Sequence, residues 1–356
     1  MRLLSNAIYM NDVKKAAECG INWDKLKDSS IVISGATGLI GSFLIDTVMY
    51  RNINDGMNCK VYALGRSISK AENRFSEYFD NDSFKFVQCD ICKPETITID
   101  DSIDYVFHAA SNTHPVAYAS DPIGTITVNV IGLQSLLEFA RIHNSKRFLF
   151  ASSNEIYGEN RGDSEKFDED YCGYINSNTL RAGYPESKRV SEALCQAYIK
   201  QYGMDIVIPR LTRSFGATML DTDTKAVSQF IKKGVNRENI ILKSKGDQFY
   251  SFTYVPDAVT GVLYCLTEAV SGEAYNISTE LCDITLRDLA QLIADYAGTK
   301  VIFNIPDETE SLGFSKVTKA ILDSAKLQNI GWKPCFDIKT GIAHTIEIIR
   351  AMEGLI

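Results

Sequence analysis

Ile31-Val32-Ile33-Ser34-Gly35-Ala36-Thr37-Gly38-Leu39-Ile40-Gly41 is the stretch whose reading decides the fold. Its apolar start reads as a buried strand. Its glycines then fall at every third position, and Ser42 to Tyr50 continues with the periodicity of a helix. Strand, glycine turn and helix form the geometry that holds a pyrophosphate on backbone N–H groups at a helix N-terminus. Glycine serves there because a side chain would keep the backbone off the phosphate and block the positive φ of a tight turn. The same glycines also suit a plain structural turn, so residues elsewhere must decide.

Working outward, Cys59 to Leu64 is a short apolar strand ending at Gly65-Arg66-Ser67. A dinucleotide fold reads the adenosine ribose at this place, with an acid for the 2′-hydroxyl or an arginine for a 2′-phosphate. The acid is missing: Gly65 occupies its position, Arg66 follows and Lys70 lies downstream. The cofactor expectation therefore leans to NADP over NAD. Phe84 to Cys89 reads as a third strand ending at Asp90-Ile91, with Asp90 placed to reach an adenine amine. Tyr105 to Ser111 is a fourth, whose small Ala109, Ala110 and Ser111 let a cofactor lie close. A helical pattern over Asp121 to His143 leads to a fifth strand, Phe148 to Ala151, which runs into Ser152-Ser153-Asn154-Glu155. Strands alternating with helices predict an α/β fold, a Rossmann-type doubly wound parallel sheet. Ligands bind at the carboxyl ends of such strands, which puts the polar cluster at 152–155 on the functional edge.

The chain has 356 residues, 45% of them hydrophobic, enough for one large domain or two that share an interface. A net charge of −8 argues against a general nucleic-acid surface. No apolar run is expected to reach the length of a membrane span. Met1 to Met10 lacks the long apolar core of a signal peptide, so a cytoplasmic location is expected. Nine scattered cysteines suit reduced thiols. Cys89 and Cys92 have Cys-x-x-Cys spacing, but with no second pair and no histidine nearby no metal site is expected. Residues 1–29 form an extension with a short helix at Asn11 to Cys19.

After a charged, glycine-containing loop from Gly158 to Gly173, a helix begins near Gly183 and carries Tyr184-Pro185-Glu186-Ser187-Lys188. Proline fits the first turn, and Tyr184 and Lys188, four apart, share one face. Such a pair is commonplace by itself. It gains meaning because a serine-rich strand end and a glycine loop can meet it at one crevice. A free tyrosine, with a pKa of about 10, is a poor base at neutral pH. A lysine cation and an oxidised nicotinamide both favour its phenolate. The phenolate can then take the proton of a sugar hydroxyl while the carbon gives up hydride, and a serine hydroxyl holds the oxygen.

Gly35-x-x-Gly38-x-x-Gly41, His108-Ala109-Ala110, Ser152-Ser153-x-Glu155-x-Tyr157-Gly158 and Tyr184-x-x-x-Lys188 together resemble the extended short-chain dehydrogenase/reductases. More narrowly, the chain resembles the NAD-dependent epimerase/dehydratase family that acts on nucleotide sugars. The likeness continues through Arg210-Leu211 to Phe215-Gly216, Phe252-Thr253-Tyr254-Val255-x-Asp257 and Gly272 to Asn276. It implies two lobes: a Rossmann domain over 30–207, to which 251–272 return, and a smaller substrate-binding lobe from 208–250 and 273–356. It implies Ser153, Tyr184 and Lys188 as the hydride-transfer set. Gly35, Thr37, Gly38, Leu39, Ile40 and Gly41 would hold the cofactor pyrophosphate, Asp90 and Ile91 its adenine, and Ala109, Ala110 and Ser111 would line its cleft beside Tyr184 and Lys188. Ser153, Asn154, Asn176, Arg213 and Tyr250 would meet the substrate. The implied cofactor is a tightly bound, internally recycled NAD or NADP, and the implied substrate a nucleotide-diphosphate sugar. A homodimer through helices of the sheet lobe, including the one bearing Tyr184, is expected.

The reaction after C4 oxidation turns on Glu155. A 4-ketone acidifies the C5 hydrogen, and a carboxylate facing the same crevice as Ser153 can remove it and expel water from C6. A 4-epimerase needs no such base. Glu155 therefore looks like the pattern of 4,6-dehydratases and UDP-glucuronate decarboxylases, and it favours a 4,6-dehydratase. A 4-epimerase or UDP-glucuronate decarboxylase is the alternative, and a non-catalytic dinucleotide-binding sensor is the reading of another class. Glu155 could instead orient the loop at 158–173. The chain also departs from the family. Asn154 replaces the acid of many dehydratases. Asn176 to Arg189 looks most like the decarboxylases, yet Tyr250 replaces their arginine for a carboxylate or phosphate, which counts against a hexuronate. Arg213 stands where the family has asparagine, and Ala217 and Thr218 replace its proline and basic residue. Arg213 is expected to supply the missing cation opposite Tyr250, pairing with a diphosphate. Lys243 and Lys245 read as surface charge.

Overall fold

The computed structural model describes residues 2–113, 115–304 and 318–355. In chain order the first part runs α1 (Ala7–Ala17), β1 (Ser30–Ser34), α2 (Leu39–Asp55), β2 (Lys60–Gly65), α3 (Ile68–Phe75), β3 (Phe84–Gln88), β4 (Tyr105–His108), α4 (Pro115–Ser120), α5 (Pro122–Ile142), β5 (Arg147–Phe150), β6 (Ser152–Ser153), α6 (Gly183–Tyr202) and β7 (Ile206–Leu211). The second runs β8 (Arg213–Phe215), α7 (Ala226–Val235), β9 (Ile240–Leu242), β10 (Phe249–Tyr254), α8 (Val255–Thr267), β11 (Ala274–Ile277), β12 (Asp283–Thr285), α9 (Leu286–Ala297), β13 (Val301–Phe303), β14 (Lys319–Ala320), α10 (Ala325–Asn329) and α11 (Ile338–Glu353).

The large sheet is parallel, in the order β11-β7-β5-β4-β1-β2-β3, with β6 also on β7. Its strands are near-continuous apolar runs because both faces are covered. In β1, Ile31 and Ile33 enter one core and Val32 the other. A smaller mixed sheet sets β10 between antiparallel β12 and parallel β14, with β8 also beside β10, and β9 pairs with β13. The expected α/β Rossmann architecture with a smaller second lobe is the observed one. The large sheet nevertheless extends past the boundary expected at 273: β11 forms its edge strand, with Asn276 opposite Arg210. Part of the expected lobe, residues 305–317, lies outside the described residues.

Local signals misplace several ends. α2 begins at Leu39 rather than Ser42 because Gly38 itself is the N-cap, and it ends at Gly56, which takes the left-handed conformation with φ 63°. β4 stops at His108 rather than Ser111. α1 begins at Ala7 rather than Asn11, because the Asn6 side chain accepts hydrogen bonds from the N–H groups of Ile8 and Tyr9. The expectation that no apolar run reaches membrane length needs correcting. α5 is 21 residues long and, by length and composition, apolar enough to cross a membrane. Half of its apolar window is buried, and it packs on β4, β5 and α6. Its outer face exposes Ile123, Ile126 and Ile131.

The N-terminal extension is bound through buried acids. Tyr9 donates its hydroxyl hydrogen to Asp46 of α2, which also pairs with Arg74 of α3. Asp12 accepts from the Tyr254 hydroxyl at 2.7 Å and pairs with His344 of α11 at 3.0 Å. Each buried carboxylate thus has partners, which offsets the cost of taking its charge out of water. α1 thereby ties the glycine-loop helix to the strand and helix that carry the smaller lobe.

Candidate functional site

A cleft of about 1550 Å³ opens at the carboxyl ends of the parallel strands. The strand order reverses beside β1 and β4, the place where open α/β sheets bind ligands. Gly35, Thr37, Gly38, Leu39, Ile40 and Gly41 line one end, together with Arg66, Asp90, Ile91, Ala109, Ala110 and Ser111. The glycines are sterically required. Gly35 has φ 70°, and a Cβ on it would stand 2.8 Å from the backbone of Ala109 and Ala110. A Cβ on Gly41 would stand 2.4 Å from the Gly35 carbonyl oxygen. Behind this floor the Ser34 hydroxyl meets His108 Nδ1 at 2.7 Å and accepts from the N–H groups of Ala109 and Ala110 at 3.2 and 3.3 Å. Burial, with Lys188 adding to it, drives the His108 pKa down to about 3, so the ring is neutral. A side-chain-free backbone floor at a helix N-terminus fits the pyrophosphate of a dinucleotide.

Next to this end stand Ser153, Asn154, Glu155, Tyr184 and Lys188, all on the wall of the same cleft. β6 carries Ser153, whose hydroxyl accepts from the Glu155 N–H at 3.2 Å and starts a short 3₁₀ turn, Asn154–Tyr157. α6 carries Tyr184 and Lys188, both buried. Burial pushes the Tyr184 hydroxyl up to about 12, opposed by a hydrogen bond with Ser153 and by Arg181, and assisted by Glu155. Burial pulls the Lys188 ammonium down to about 7, against Glu192. Lys188 donates to the Ala151 carbonyl at 2.7 Å and lies 6.0 Å from the centre of the Tyr184 ring. Its position is set by the Ala151 carbonyl just past the end of β5.

The Glu155 backbone carbonyl accepts from the Gly158 N–H at the start of the loop at 158–173. The Glu155 carboxylate pairs with Arg181 at 2.7 Å, on the turn just before α6. The guanidinium of Arg181 also lies over the Tyr118 ring, 5.2 Å from its centre. Tyr118 in turn stacks on Tyr184 with ring centres 4.9 Å apart. Sequence reasoning missed Tyr118, since no periodicity marks an aromatic residue on a six-residue helix for this contact. Arg213 and Tyr250 both line the cleft, and the Arg213 guanidinium sits 3.8 Å from the Tyr250 ring centre. Arg213 Nη1 is buried without a hydrogen-bond partner among the described residues.

One expectation fails. Asn176 is exposed and does not line the cleft; its side chain accepts from the Asn178 N–H at 3.2 Å and shapes a surface turn. Lys243, read as surface charge, is exposed and also lines the cleft, whereas Lys245 is not among its lining residues. Strand β9, ending at Leu242, aims the chain there, a placement no local signal carries.

A sequence model described as the NAD dependent epimerase/dehydratase family matches residues 31–278. UDP-glucuronic acid decarboxylase 1 of Danio rerio is 29% identical over 317 residues, covering 89% of this chain and 72% of that protein. Among solved structures, UDP-glucose 4-epimerase of Thermotoga maritima aligns with a TM-score of 0.77 at 24% identity, over 91% of this chain and 99% of the other. A dTDP-glucose 4,6-dehydratase of Streptomyces venezuelae aligns at 0.78 and 22% identity, over 92% and 98%. At those identities the structures establish a shared fold.

Proposed function

The chain belongs to the NAD dependent epimerase/dehydratase family, and from that premise we propose that it oxidises C4 of a nucleotide-diphosphate sugar through Tyr184 and then acts at C5, with decarboxylation of a sugar acid favoured over dehydration. The observation that carries this reading is the single cleft, with a glycine cradle at one end and Ser153, Glu155, Tyr184 and Lys188 beside it. Gly35, Gly38 and Gly41 would hold the pyrophosphate of a nicotinamide dinucleotide, which when bound would supply the hydride acceptor and donor. The Tyr184 phenolate takes the proton of the C4 hydroxyl, and Ser153 holds that oxygen in line.

Once C4 is a ketone, the C5–C6 bond of a sugar acid breaks. Its electron pair enters the ketone as an enolate, carbon dioxide leaves, and a proton from water takes the place of the carboxyl group at C5. No base is required. Dehydration needs Glu155 to take the C5 proton, and one oxygen of that carboxylate is paired with Arg181. The decarboxylase name of the sequence relative supports the same choice. The test is to incubate purified protein with UDP-glucuronate, UDP-glucose and dTDP-glucose and weigh the products. Loss of carbon dioxide from the glucuronate is expected. Loss of water from a neutral sugar would restore the dehydratase, inversion without mass change would indicate an epimerase, and no conversion by dinucleotide-loaded protein would leave a sensor.

Cofactor choice follows from the end of β2, where Gly65, Arg66, Ser67 and Lys70 line the cleft and no acid follows the strand. NADP is therefore expected as the dinucleotide released on denaturing the protein, and recovery of NAD alone would refute Arg66 as a 2′-phosphate site. The exposed Ile123, Ile126 and Ile131 of α5, with Val190 of α6, favour a homodimer over these helices. Light scattering should give twice the chain mass, and a monomer would refute it.

A further inference from the structure

We propose that Arg213, seated on the ring of Tyr250, is the group that recognises the carboxylate of the sugar acid, an assignment that rests on the nucleotide-sugar reading above. Six side-chain nitrogens and oxygens are buried without a hydrogen-bond partner among the described residues, and Arg213 Nη1 alone belongs to a residue lining the cleft. A buried guanidinium nitrogen with nothing to donate to is costly, and an anionic oxygen is the partner that offsets the cost. The side chain is held for this purpose. β8 pairs Arg213 with Phe252 of β10, and the same strand β10 presents the Tyr250 ring 3.8 Å beneath the guanidinium. An arginine stacked on an aromatic face keeps its fork free for bidentate pairing.

The location selects the anion. The charged groups acting on Arg213 are Glu155 and Arg181, with the phenols of Tyr250 and Tyr118 beside them. Glu155 and Arg181 are also the charges acting on Tyr184. Arg213 therefore stands at the reacting end of the cleft, where the sugar lies. Two guanidiniums face one carboxylate there, and Arg181 already holds that carboxylate at 2.7 Å. One positive charge is left for a group on the sugar. The expectation that Tyr250 in place of an arginine counts against a hexuronate is thereby reversed. The cation is present, carried by the neighbouring strand and resting on the tyrosine that took its place.

The test is calorimetric binding of UDP-glucuronate and UDP-glucose to dinucleotide-loaded protein. The parent should prefer the acid by about ten- to a hundredfold, the range of a charge-assisted hydrogen-bonded pair. Arg213→Met should abolish that preference by weakening UDP-glucuronate far more than UDP-glucose, and Arg213→Lys should keep part of it. Because Arg213→Met removes an unpaired buried charge, its unfolding temperature should equal or exceed the parent's, which separates lost recognition from lost structure. Three results overturn the assignment: equal weakening of both ligands, which would place Arg213 on the diphosphate; an undiminished preference in Arg213→Met; and no preference in a parent that binds both. Failure of the parent to bind either nucleotide sugar would overturn the nucleotide-sugar reading, and this assignment with it.

Discussion

Replacing Tyr184 by phenylalanine is expected to lower turnover by about 10²- to 10⁴-fold, the usual worth of a positioned acid–base group, while the protein keeps its dinucleotide. The ring is buried and stacked on Tyr118, so phenylalanine fills the same volume and removes only the hydroxyl. That hydroxyl is pushed up to about 12 by burial, so it is protonated at neutral pH in the free protein. Raising the pH increases the phenolate fraction, and parent turnover should climb with it. The positive nicotinamide of a bound oxidised cofactor moves the climb toward neutrality. Tyr184→Phe should show no such climb in its residual rate. A pH–rate profile for both proteins measures this, and a variant that retains parental turnover would remove Tyr184 as the proton acceptor.

The second large effect is expected at Gly41. A methyl group on it would stand 2.4 Å from the Gly35 carbonyl oxygen and 3.1 Å from the Ala36 Cα. Both are main-chain atoms of the glycine turn, so no side chain can swing aside. The loop must move, and with it the backbone groups that line the cradle. Gly41→Ala should therefore weaken dinucleotide binding by about tenfold or more, equivalent to at least about 1.4 kcal/mol. The dinucleotide recovered per chain after purification, followed by titration of stripped protein, measures it. Full occupancy with parental affinity would return the glycine stretch to a plain structural turn.

Both experiments act on residues legible in the chain. The glycine spacing at 35–41, the small residues after β4, the polar end of β5 and the Tyr184–Lys188 pair could all be placed at one crevice before any coordinates. What each group is bonded to could not. Asn176 matched a family pattern and lies on the surface, because its loop turns outward on its own side-chain hydrogen bond. Glu155 matched the place of a base, but its partner Arg181 is 26 residues away. Tyr118 carried no signal and stacks on Tyr184.

The amino-acid sequence by itself determined the parallel sheet, the glycine turn and the residue types of the candidate site. These rest on local rules: strand and helix periodicity, and the need for glycine where backbone meets backbone. The tertiary structure alone decided the burial and pairing of those residues. Lys188 is pulled down to about 7 because α6 buries it, Glu155 is held by Arg181, and Arg213 rests on Tyr250 because β8 and β10 lie side by side. Burial and pairing depend on what other segments bring close, and no local pattern encodes that.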